Sequence, residues 1–117
     1  MNKFEVLFYK DEKGAHPAKD FLLSLDTKMR AKITSLIVLL EENGNELREP
    51  YSKHLADGIF ELRAIQGSDI ARVLYFFYYG RKIILTNGFL KKTKKTPYRE
   101  IEKAKKYRDD FISREAK

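Results

Sequence analysis

Apolar residues recur along this chain with two periods, and the points where the period changes divide it into elements. Lys3 to Tyr9 alternates weakly, is rich in Phe, Val, Leu and Tyr, and ends at the turn-like Asp11-Glu12-Lys13-Gly14, which predicts a first strand. After His16, Pro17 suits a first helical turn, and Ala18, Phe21, Leu22 and Leu25 then fall on one helical face. A second helix follows, with Asp26 as its N-cap, an apolar stripe of Met29, Ile33, Leu36, Ile37 and Leu40, and Gly44 as its stop. Almost no loop separates the two, so they are expected to form a hairpin covering one face of a sheet. Residues 45 to 58 are polar, are punctuated by Pro50 and Gly58, and read as irregular.

From Ile59 the pattern becomes that of strands. Ile59 to Ile65, a turn at Gln66-Gly67-Ser68-Asp69, the aromatic Ile70 to Tyr79, a turn at Gly80-Arg81 and Lys82 to Gly88 read as three consecutive antiparallel strands. Thr96 as N-cap and Pro97 at the first position open a last helix, with Ile101, Ala104, Tyr107, Arg108, Phe111 and Ile112 as its stripe. The order β-α-α-β-β-β-α, with helices grouped ahead of a strand meander, predicts an α+β domain with a mainly antiparallel sheet. At 117 residues the whole chain, 1–117, is read as a single domain.

Composition narrows the function classes. With no Cys, disulfides and thiolate metal sites are excluded. The first residues lack the apolar core of a signal peptide, and the longest apolar run, Val73 to Tyr79, is far short of a membrane span, so a cytoplasmic protein is expected. His16 and His54 stand in no ligand or triad spacing and read as structural or surface residues. No phosphate-binding glycine motif, nucleophile elbow or paired acidic motif for a divalent ion is present, so no cofactor is expected and any catalysis is expected to be metal-free.

Net charge is +7, and its placement says more than its size. Residues 1 to 88 carry 13 basic and 12 acidic side chains, whereas residues 89 to 117 carry 11 and 5. The excess centres on Lys91-Lys92-Thr93-Lys94-Lys95, between an apolar strand and a helix. Such a cluster attracts polyanions, above all nucleic acid, although an acidic protein would also satisfy it. Strand alternation puts Glu61 and Arg63 on one face, and Arg72 on the next strand comes roughly opposite Arg63. Arg63, Arg72, the lysines and Tyr98 are thus expected to line one concavity beside a helix N-terminus, a place that favours phosphate. Each arginine also has an ordinary use, pairing with a carboxylate, and Glu61 is nearby in sequence.

Three blocks carry a resemblance. Asp57-Gly58-Ile59-Phe60-Glu61-Leu62-Arg63, then Arg72-Val73-Leu74-Tyr75, then Gly88 to Pro97 with Glu100, Ile101 and Ala104 beyond, resemble the HigB-like, phage-derived branch of the RelE/ParE toxin superfamily. The resemblance covers essentially the whole chain. It implies a RelE-like fold and the toxin of a type II toxin–antitoxin pair. Such a toxin cuts mRNA in the ribosomal A site and is held in check by an antitoxin, often with a helix-turn-helix. By position it points to Arg63, Arg72, Lys91, Lys92, Lys95 and Tyr98 as catalytic residues, and to Phe89, Lys94 and Arg99 as RNA contacts. The RelE pattern has two strand lysines where this chain has Glu61 and Arg63, which leaves the general base open.

The residues permit such chemistry. RNA carries its own nucleophile, the 2′-OH, so cleavage needs a base, cations for the developing phosphorane charge and an acid for the leaving oxygen. Crowding four ammonium groups beside arginines disfavours the fully charged state, which suits one lysine, or Tyr98, to proton transfer. Arginine suits bidentate phosphate binding, and Phe89 or Tyr98 suits stacking on a base. Two other readings stay open at this point: a ParE-like gyrase inhibitor and a non-catalytic RNA-binding domain.

Overall fold

In the computed structural model, which describes residues 3–116, one mixed five-stranded sheet carries helices on both faces. The elements are β1 (Glu5–Phe8), α1 (Pro17–Ser24), α2 (Thr27–Asn43), β2 (Ser52–Ala56), β3 (Ile59–Gln66), β4 (Asp69–Tyr78), β5 (Lys82–Lys91) and α3 (Tyr98–Glu115). A short 3-10 turn, Gly44–Glu46, follows α2. The sheet order is β1-β5-β4-β3-β2, with β1 parallel to β5 and the remaining neighbours antiparallel. This is the expected α+β class, consistent with a RelE-like fold.

Local chemistry accounts for the helical hairpin. Pro17 opens α1, the Asp26 carboxylate accepts the Met29 N–H at 2.8 Å, and Gly44 ends α2 at a φ of 54°. The apolar stripes of α1 and α2, through Ala18, Leu22, Met29, Ile33 and Leu40, bury Leu62, Ala64, Val73, Tyr75 and Leu85 of one sheet face. On the opposite face Ala104, Tyr107 and Phe111 of α3 pack against Ile59, Leu74, Phe76 and Ile84. Glu61 and Arg63, alternating with the apolar residues of β3, therefore lie on the α3 side.

The structure departs from the sequence reading in three places that matter for the site. Residues 52 to 56, read as irregular, form the edge strand β2. It is joined to β3 by Asp57-Gly58, both at positive φ (49° and 82°) as a two-residue hairpin turn demands. Ser-Lys-His-Leu-Ala is poor in β-formers, and pairing with β3 overrides that local preference. Next, β5 runs on to Lys91 and α3 begins only at Tyr98 with Pro97 as its N-cap, so residues 92–97 form the connection and Thr96 does not cap the helix. Finally, Leu74 pairs with Asn87 but Tyr75 with Leu85, which leaves Thr86 as an extra residue in a bulge. The bulge resets the alternation of β5, so that Ile84, Asn87 and Phe89 share the α3 side. Among the described residues no helix is long and apolar enough to cross a membrane.

Candidate active site

Register lays out the site in rows across the sheet. Arg63 of β3 pairs directly with Arg72 of β4, which pairs with Phe89 of β5. The adjacent row is Lys53, Glu61, Leu74 and Asn87. Two arginines directly opposite each other repel unless a carboxylate intervenes. Glu61 supplies it: Oε2 lies 2.8 Å from Arg63 Nη2, and Oε1 lies 3.5 Å from Arg72 Nε. Glu61 and Arg72 are both fully buried.

The connection 92–97 closes over this pair. Arg72 Nη2 donates to the Thr93 carbonyl, Arg63 Nη2 donates to the Lys94 carbonyl at 2.6 Å, and the Thr96 hydroxyl donates to Glu61 Oε1 at 2.5 Å. The backbone of the lysine-rich segment is thus tied down while Lys92, Lys94 and Lys95 stay exposed. Arg72 also lies over the Phe89 ring, 5.5 Å from its centroid. Burial pushes the Arg72 guanidinium below its ordinary value; Glu61 works against that shift and the Arg63 charge adds to it. Arg72 Nε and Nη1 and Arg63 Nε are buried without a hydrogen-bond partner among the described residues, so the contact of Arg72 Nε with Glu61 is an ion pair and not a hydrogen bond. On the far side of the row, Asn87 Nδ2 donates to Glu100 Oε1 at 3.2 Å and so ties β5 to the first turn of α3.

A cleft of about 460 Å³ opens beside the clamp, lined by Lys53, His54, Leu55, Arg63, Lys94, Lys95, Thr96 and Ile101. Of the residues singled out from the sequence, it brings together Arg63, Lys94 and Lys95. Arg72 sits beneath the connection, with no surface of its own. Phe89 is half-buried under Arg72, Lys91 is the half-buried end of β5, and Lys92 is exposed outside the cleft lining. Tyr98, 72% exposed, and Arg99 line a separate, more open depression of about 720 Å³ along α3 with Lys103, Lys106 and Arg108.

Lys53 and His54 enter the site from β2, which sequence reading had left without structure. The signal was Asp57-Gly58, a two-residue turn that pairs Ala56 with Ile59; a register shift between His54 and Ala56 then sets Lys53, rather than His54, opposite Glu61. His54, read as a structural or surface residue, accepts the Gly58 N–H at Nε2 (3.2 Å) and meets the Phe60 ring edge-on. The site therefore combines four cations of the cleft wall (Lys53, Arg63, Lys94 and Lys95), an imidazole and a hydrogen-bonded backbone clamp.

No curated protein matches the chain. Residues 20–109 match the family described as phage derived protein Gp49-like (DUF891), a span that runs from α1 through β5 and the clamped connection into α3. That match takes in every residue of the cleft, and the chain belongs to this Gp49-like, phage-derived family, a RelE-type family associated with the toxins of toxin–antitoxin pairs.

Proposed function

We propose that the chain is a HigB-like toxin of a type II toxin–antitoxin pair, acting as an endoribonuclease on mRNA held in the ribosomal A site. The observation that carries this reading is the cleft whose wall brings Lys53, Arg63, Lys94 and Lys95 together, with His54 among its lining residues. A polyanion is the ligand such a wall selects. In the proposed step the 2′-oxygen attacks the adjacent phosphorus as it loses its proton, the bond from phosphorus to the 5′-oxygen breaks, and that oxygen takes up a proton. The products are a 2′,3′-cyclic phosphate and a 5′-hydroxyl.

Arg63 is placed to hold the phosphate oxygens, and Lys94 and Lys95 to offset charge on the phosphorane. His54 and the lysines are the candidates for proton transfer. Lys91 and Lys92 at the start of the connection, and Tyr98 and Arg99 in the separate depression along α3, extend the path for RNA; Arg72, over the Phe89 ring, holds the connection through the Thr93 carbonyl. Among the described residues the cleft holds no hydrogen-bonded acid–base pair, and the proposal therefore leaves completion of the geometry to the ribosome. In this reading a cognate antitoxin, a small helix-turn-helix protein, restrains the toxin.

The test is induction of the chain in a bacterial host, with primer-extension mapping of transcripts. The expected result is early arrest of translation with new 5′ ends inside coding regions. DNA damage appearing first, with intact transcripts, would replace this reading by gyrase inhibition, and RNA binding without cleavage would reduce it to a binding module.

A further inference from the structure

We infer that Glu61 is a positioning residue for the lysine-rich connection: it sets the places of Lys94 and Lys95 in the cleft without touching RNA. The inference rests on the function proposed above and goes beyond it, because neither the resemblance nor the cationic wall assigns work to a carboxylate. A negative charge in a phosphate-binding site opposes its ligand. Glu61 is nevertheless there, fully buried, with both oxygens engaged.

The geometry supplies the reason. Three residues of the connection 92–97, namely Thr93, Lys94 and Thr96, are tied to this one carboxylate: Thr96 directly, and Thr93 and Lys94 through Arg72 and Arg63. Lys92, Lys94 and Lys95 are exposed and repel one another, and the connection contributes only Thr96 as a buried residue. Without Glu61 the two facing arginines would repel as well and lose their common anchor. Because no surface of Glu61 reaches the cleft, it acts through Thr96 and the arginines, not on substrate.

The experiment compares the full chain with Glu61→Gln, Thr96→Val, Thr96→Ser and the Glu61→Gln/Thr96→Val double variant. It uses ribosome-bound mRNA for turnover, unstructured RNA for affinity, and backbone ¹⁵N relaxation for order. Glu61→Gln and Thr96→Val are expected to lower kcat by about 10²-fold, as a misplaced catalytic group does. RNA affinity should hold or rise, since Glu61→Gln removes a negative charge and Thr96→Val removes no cation. Thr96→Ser should restore turnover, and the double variant should be no worse than the poorer single one. Order parameters at residues 92–95 should fall from about 0.85 towards 0.6 in Glu61→Gln and Thr96→Val. Unchanged order in the folded variants, or additive losses in the double variant, would overturn the inference. Should Glu61→Gln not fold, the Thr96 pair decides it alone. If the wild-type chain cuts no RNA, the proposed function fails, and the relaxation data still decide whether Glu61 positions the connection.

Discussion

Arg72 is the largest fully buried side chain of the protein, and its surroundings satisfy it only in part. An ionised group in such a place is held by its partners, and removing one partner strands the other: breaking a buried pair costs about 3–5 kcal/mol. Arg72→Ala should therefore destabilise the fold by that amount in urea unfolding, whereas Arg63→Ala, at the cleft edge, should cost about 1 kcal/mol. Equal costs would mean that Glu61 does not depend on Arg72. Tyr75 gives the residue-level pH dependence. Burial pushes its hydroxyl up to about 12, partly offset by its hydrogen bond with Ser52. A raised folded-state value means that the protonated form is favoured in the fold. Its contribution is complete below the unfolded value of about 10 and is lost as pH climbs through 10 to 12. Burial shifts Tyr9 and Tyr107 in the same direction, so they add to the same alkaline loss. The urea midpoint should fall over that window and fall less steeply in Tyr75→Phe; identical slopes would contradict the assignment.

At the scale of elements, β5 decides whether a site exists at all. The bulge at Thr86 turns Asn87 and Phe89 to the α3 side, and Gly88 between them lets α1 approach the sheet. A Cβ on Gly88 would stand 2.3 Å from the Phe21 ring and 2.9 Å from the Arg72 carbonyl. Gly88→Ala should cost about 1–3 kcal/mol by overpacking, measured by thermal unfolding, and should loosen the clamp because it pushes on the Arg72 backbone. A neutral effect would show that α1 yields freely. Much of this architecture was legible in the chain. Helical periodicity placed α1 and α2, the Asp26 cap is where its spacing put it, and strand alternation set Glu61 and Arg63 on one face with Arg72 opposite. What was not legible depended on tertiary pairing. β2 exists because β3 offers it a partner, the bulge interrupts an alternation that looked unbroken, and Thr96, a credible cap by type, is drawn instead to a buried carboxylate. The convergence of Arg63, Lys94 and Lys95 followed from strand order. The entry of Lys53 and His54 required a hairpin that only Asp57-Gly58 announced and a register shift in β2 that no residue pattern announced.

For the molecule as a whole, charge and topology act together. The last 29 residues hold most of the net positive charge, and the fold brings them back across the sheet so that the 92–97 connection meets β2 and β3 at one cleft. One layer of helices secures the sheet from behind, and α3 fixes the connection at its far end. In the proposed function this scaffold presents its cations to a polyanion and leaves the remaining geometry to the ribosome. The direct measurement is 5′-end mapping of one mRNA treated with the purified chain, on translating ribosomes and free in solution, for the wild type and Arg63→Ala. Discrete cuts with 5′-hydroxyl ends are expected only on ribosomes, with about 10²–10³-fold slower cleavage by Arg63→Ala, the loss that follows when a charge-stabilising group is removed. Equal cleavage of the free mRNA, or no cleavage of either by the folded wild-type chain, would contradict the proposed function.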